Sequence, residues 1–209
     1  MDSEILERLW ELIERPLPSA LRQLELGVQT ARDEDVILTY VAALGVRHPD
    51  YFQTVVKRHW GRQGVPAPVG DSLQLARLAG LQNALPQVRG LRWRTLVGPA
   101  EGPPYILNDA GFSIISESGR EGSGLVIPLR PGLAILGYAD GPTDLSERLE
   151  PTPTTVEWLN AAAWAEETAR RAFTHPNHGD MLMAVGPVAS VKTNRWGPYR
   201  WRNHTLMGD

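Results

Sequence analysis

The sequence predicts an α+β fold: an amino-terminal helical layer packed on a small, mostly antiparallel sheet, with one long late helix. Three observations lead there. Apolar residues recur at helical spacing through the first 85 residues, the period changes to that of a strand after Pro86, and strands do not alternate with helices along the chain. The 209 residues read as one domain, 1–209, with a helical part (1–85), a strand-rich part (86–185) holding a helix over 153–173, and an aromatic and basic tail (186–209).

The first helix is marked by Ile5, Leu6, Leu9, Trp10 and Ile13 on one face, with Asp2 or Ser3 as its cap. Pro16 and Pro18 break it, and Leu17, Leu21 and Leu24 start a second. A third begins near Asp33, where Glu34 and Asp35 suit the positive end of a helix dipole, and carries Val36, Ile37, Tyr40, Val41 and Leu44. Pro49 suits the first turn of a fourth, with Tyr51, Phe52, Val55, Val56 and Trp60; a Gly/Pro linker over 61–70 follows. Asp71 caps a fifth, with Gln74 completing a capping box and Leu73, Leu75, Leu78, Leu81 and Leu85 as its face.

Beyond Pro86, Leu91, Trp93, Thr95 and Val97 alternate with Arg92, Arg94 and Leu96, the pattern of a half-buried strand. Further strands are expected at Tyr105–Leu107, Phe112–Ile115, Leu125–Leu129 and Leu133–Tyr138, with a short one at Met181–Val185. Thr152 or Thr154 caps the late helix, which brings Trp158, Leu159, Ala162, Ala165 and Ala169 to the core; His175-Pro176-Asn177 is turn chemistry beyond its end.

Composition removes whole classes of function. Zero cysteines exclude disulfide frameworks, Cys-ligated zinc, iron–sulfur clusters and thiol catalysis. A net charge of −3 is not that of a polycation that coats nucleic acid, and 42% hydrophobic content is that of an ordinary globular chain. Lys57 and Lys192 stand alone against 19 arginines, a bias of GC-rich coding. No run of about 18 apolar residues predicts a membrane helix, and Met1-Asp2-Ser3-Glu4 has none of the basic and apolar character of a signal peptide. The expected setting is the cytoplasm, with no membrane partner.

Four stretches invite a chemical reading. Gly70-Asp71-Ser72-Leu73 spells a serine-esterase signature, but Pro66-Ala67-Pro68-Val69 before it cannot be the central strand such a nucleophile needs, and the family's Asp-x-x-His element is missing. Asp71 is better explained as a cap. Gly119, Gly122 and Gly124 imitate a phosphate loop, yet no Lys is present and Leu125-Val126-Ile127 reads as a strand; a hairpin connection is expected. His175, His178 and Asp180 form the densest set of metal-ligand types, two imidazoles and a carboxylate that could hold a divalent metal. The same residues serve as ordinary chemistry at a helix end, and no cofactor is expected by default. The tail interleaves Lys192, Arg195, Arg200 and Arg202 with Trp196, Tyr199 and Trp201, and against the single acid Asp209 it carries +3 on a body of −6. Cation–π anchoring on the chain's own domain is the first reading, a protein partner the second, and stacking on nucleic acid the weakest. His48 and His59, beside helix ends, are read as structural.

The order of pieces over residues 4–185 resembles an uncharacterised bacterial family, a domain of unknown function. The resemblance is carried by Arg47-His48-Pro49 at a helix junction, Asn108-Asp109-Ala110-Gly111 where the family has Ser/Thr-Asp-x-Pro, Pro128-Leu129-Arg130-Pro131 as a strand entry, and Leu159-Asn160 before Ala161 to Ala163. Two departures stand out: Asn108 replaces Ser/Thr, and Gly111 replaces the Pro that makes the turn rigid. Relative to that family the chain begins inside the helical region, as if amino-terminally truncated. The resemblance implies a fold and marks Arg47, Asp109 and Asn160 for attention. Asp109 follows the apolar run Tyr105-Ile106-Leu107, so its carboxylate needs an Arg or several amide donors, which Arg47 and Asn160 could supply.

The expected function is a non-enzymatic binding or protein-interaction module of the bacterial cytoplasm, with Arg47, Asp109, Asn160 and His175 as a binding group and Arg195, Trp196, Tyr199, Arg200, Trp201 and Arg202 as an interaction tail. The alternative is a metal-assisted hydrolase or nuclease-like enzyme using Asp109, His175, His178 and Asp180.

Overall fold

The computed structural model describes residues 3–47, 71–108, 110–116, 123–140, 143–164 and 172–173. The fold is α+β: amino-terminal helices, then a mixed, mostly antiparallel sheet and a late helix. Its contacts divide it into two compact units, Met1–Arg89 and Gly90–Asp209.

The first unit contains α1 (Ser3–Glu14), α2 (Leu17–Leu26), α3 (Ala31–Arg47) and α4, which is Asp71–Gly90 and reaches one residue beyond the unit. Pro16, at the cap of α2, breaks the chain between the helices as the sequence requires, and Pro18 sits in the first turn of α2, where a missing N–H costs no helix hydrogen bond. Gly27, at φ 71°, closes α2: its N–H donates to Leu24 O and the Val28 N–H donates to Gln23 O, the paired bonds of a Schellman cap. Thr30 and Asp33 then cap α3 reciprocally. The Thr30 N–H donates to Asp33 Oδ2 at 2.8 Å, and the Asp33 N–H to Thr30 Oγ1 at 3.3 Å. The start expected near Asp33 therefore moves forward to Ala31, since Asp33 is the third residue of the helix that Thr30 caps.

Ala20, Leu21 and Leu24 of α2 are buried, as are Ile37, Leu38 and Val41 of α3, and these two helices pack together. A second small core joins Trp10, Ala43 and Val46, with Ile13, Ala76, Leu78 and Leu81 against it. Two expectations for α4 fail. Leu75 is exposed, off the face that packs. Pro86 does not end the helix, which runs on to Gly90; the proline deletes one backbone donor, and Arg89 beyond it is held by an ion pair with Asp35 of α3. The predicted helix from Pro49 and the linker over 61–70 lie outside the described residues.

The second unit is built on a five-stranded sheet. In chain order its strands are β1 (Leu91–Val97), β3 (Ser113–Ser116), β4 (Ser123–Arg130), β5 (Leu133–Asp140) and β6 (Arg148–Leu149), in the spatial order β3-β4-β5-β1-β6. All neighbours are antiparallel except β1 and β6. A separate ladder pairs β2 (Leu107–Asn108) with β7 (Ala172–Phe173). The strands flanking 117–122 pair antiparallel, Ser116 opposite Ser123, and Gly124 lies within β4, so no helix start follows the glycines. Pro128 sits in β4 where the register against β5 shifts, beyond the residues paired with β3, so its missing N–H costs no ladder bond to β3. The Pro128–Pro131 motif thus spans the end of β4 and the turn that leads into β5.

One sheet face carries Leu96, Ala134, Leu136, Tyr138, Val126 and Ile115, which form a core with Tyr105 and with Val156, Leu159 and Ala162 of α5 (Pro153–Trp164). The opposite face, with Trp93, Thr95, Ile127, Leu133 and Ile135, is buried as well. The strand read as half-buried is therefore buried on both sides. Trp93 lies opposite Gly137, and a Cβ on that glycine would come within 2.6 Å of the indole ring, so the ring occupies the space a side chain would need.

Thr152 caps α5, accepting the Thr155 N–H at 3.2 Å on its hydroxyl. The helix expected over 153–173 does not reach its predicted end: Ala172 and Phe173 are extended and pair with Asn108 and Leu107, so their backbone groups serve a ladder in place of a helix. The strand expected at Met181–Val185 lies outside the described residues.

Candidate functional site

Asn160 sits in the buried face of α5, 1% exposed. Its Oδ1 accepts the Ile106 N–H at 2.8 Å and its Nδ2 donates to Pro104 O at 2.8 Å. The side-chain amide thus serves residues 104–106 as a neighbouring strand would, and one donor with one acceptor fixes its orientation. Tyr105, between them, donates its N–H to Pro131 O at 2.7 Å. A non-ladder segment is tied on both sides.

Asn108 repeats the device three residues on. It is buried, and its Nδ2 donates to Phe112 O and to Ala163 O of α5, each at 2.9 Å. A Ser or Thr hydroxyl has one hydrogen and could serve only one of these carbonyls, so the Asn at this position has a specific use. The Gly111 N–H donates to Asn108 O at 3.0 Å and Gly111 takes φ 77°, in the left-handed region. Proline has neither that φ nor that donor, so a proline at this position could not make the same turn.

Among the described residues, three buried oxygens near this segment find no hydrogen-bond partner: Tyr105 Oη, Asn108 Oδ1 and Ser113 Oγ. Burial pushes the Tyr105 phenol well above its ordinary value, so it stays neutral. The three are neutral hydrogen-bonding groups.

Arg47 belongs to the helical unit. It hydrogen-bonds and ion-pairs with Glu14 and lies over the Trp10 ring, 5.4 Å from its centroid. Arg47 and Asn160 each have partners within their own unit. Asp109, His175, His178, Asp180 and the tail residues Arg195, Trp196, Tyr199, Arg200, Trp201 and Arg202 lie outside the described residues. Among the described residues no group of three or more His, Cys, Asp or Glu is placed to hold a metal, and no helix is long and apolar enough to cross a membrane.

Sequence reasoning missed Arg94. It is 3% exposed on the sheet, donates Nη1 to Trp93 O at 2.7 Å, and its Nε ion-pairs with Glu147. Arg92 lies over the Tyr138 ring and 3.8 Å from the same carboxylate. The stretch that carries Glu147 is fastened along β1: Thr95 donates its N–H to Glu147 O and its hydroxyl to Leu145 O, and the Asp144 N–H donates to Trp93 O. Ser146 hydrogen bonds, ahead of other causes, hold the Asp144 carboxyl below its ordinary value. The signal was present as two arginines in a strand pattern, but their acid lies some fifty residues downstream.

No family model, curated protein or solved structure matches the chain.

Proposed function

We propose that the chain is a non-enzymatic binding or protein-interaction module that uses its amino-terminal helices. One observation carries the reading. Four of the five large apolar side chains exposed among the described residues, Leu12, Leu26, Val28 and Leu75, belong to the helical unit, and Leu26 and Val28 flank the Gly27 cap that fixes their backbone. Burying each against a partner contributes about 1 kcal/mol. The basic and aromatic tail and the likeness to the uncharacterised bacterial family belong to the same proposal and rest on their sequence motifs.

Photo-crosslinking in cells tests it. A crosslinker at position 26 is expected to capture one recurrent protein, whereas the same group at exposed Glu157, on α5, captures none above background. Equal capture from both positions would overturn the proposal. So would stoichiometric zinc, manganese or iron in the purified protein with phosphodiester hydrolysis that His178→Ala abolishes.

A further inference from the structure

We draw no further inference here: the strongest candidate, the exposed apolar side chains Leu12, Leu26 and Val28 of the amino-terminal helical unit, already carries the proposed function, and nothing among the described residues shows what covers them.

Discussion

Among the described residues, the buried polar residues fall in the sheet unit, and most of the large apolar side chains left exposed fall in the helical unit. In the helical unit the ion pairs are at the surface: Arg47 with Glu14 and Arg89 with Asp35, all four side chains at least 38% exposed. Large apolar side chains of the same unit are exposed as well. In the sheet unit Arg94, Thr95, Asn108, Ser113 and Asn160 are buried, and four of the five hydrogen-bond to main-chain groups. A surface pair can be lost with little consequence because water replaces it. A buried amide has no such substitute, since removing it leaves its partners unpaired.

The contrast is broken most strongly at Asn160. Asn160→Ala strands the Ile106 N–H and Pro104 O, and is expected to destabilise the protein by about 3 kcal/mol in urea denaturation. Gly137→Ala comes next. The new methyl group collides with the Trp93 ring, with an expected loss of about 2 kcal/mol and a shift in the near-ultraviolet circular dichroism of the indole. In the helical unit Arg47→Ala gives up an exposed ion pair and a stacking contact, so a loss of about 1 kcal/mol is expected, shrinking as salt is added. A loss from Arg47→Ala as large as that from Asn160→Ala would erase the distinction.

Much of this architecture is legible in the chain because its signals are local. Pro16 and Pro18 mark the break into α2, the alternation from Leu91 to Val97 specifies β1, and Thr152 opens α5. What escapes reading depends on distant partners. Arg94 looks like a solvent-facing residue until Glu147 is brought to it. Asn108 looks like a weakened motif until Ala163 supplies the carbonyl its second hydrogen needs. Pro86 signals a stop that a helix can override at the cost of one bond, and Ala172–Phe173 continue a helical pattern that a ladder to β2 overrules. Of the site residues drawn from the sequence, Asn160 proves legible as a buried polar residue, and among the described residues it hydrogen-bonds to main-chain groups of Pro104 and Ile106.

The smallest expected effect belongs to the α3 cap. Hydrogen bonds from the Thr30 N–H, then from its hydroxyl, hold the Asp33 carboxyl below its ordinary value of 3.8, with Arg32 adding to the effect. A depressed carboxylate contributes stability above that value and loses it as pH falls through the lower, folded one. The difference in melting temperature between the wild type and Asp33→Asn should be small and constant above pH 5. It should fade as the solution is acidified below 3.8.

The Asn160 bridge also bears on the order in which the chain becomes ordered. Its partners lie 54 and 56 residues upstream, and Thr95 reaches 50 residues downstream to Leu145. Ribosomal synthesis delivers residues 104–106 long before the side chain that will hold them. Closing loops of that length costs conformational entropy before any contact repays it, which places these ties among the slow steps of folding. Until α5 emerges, the polar backbone of that segment has water as its partner, and the apolar sheet face beneath α5 has no cover.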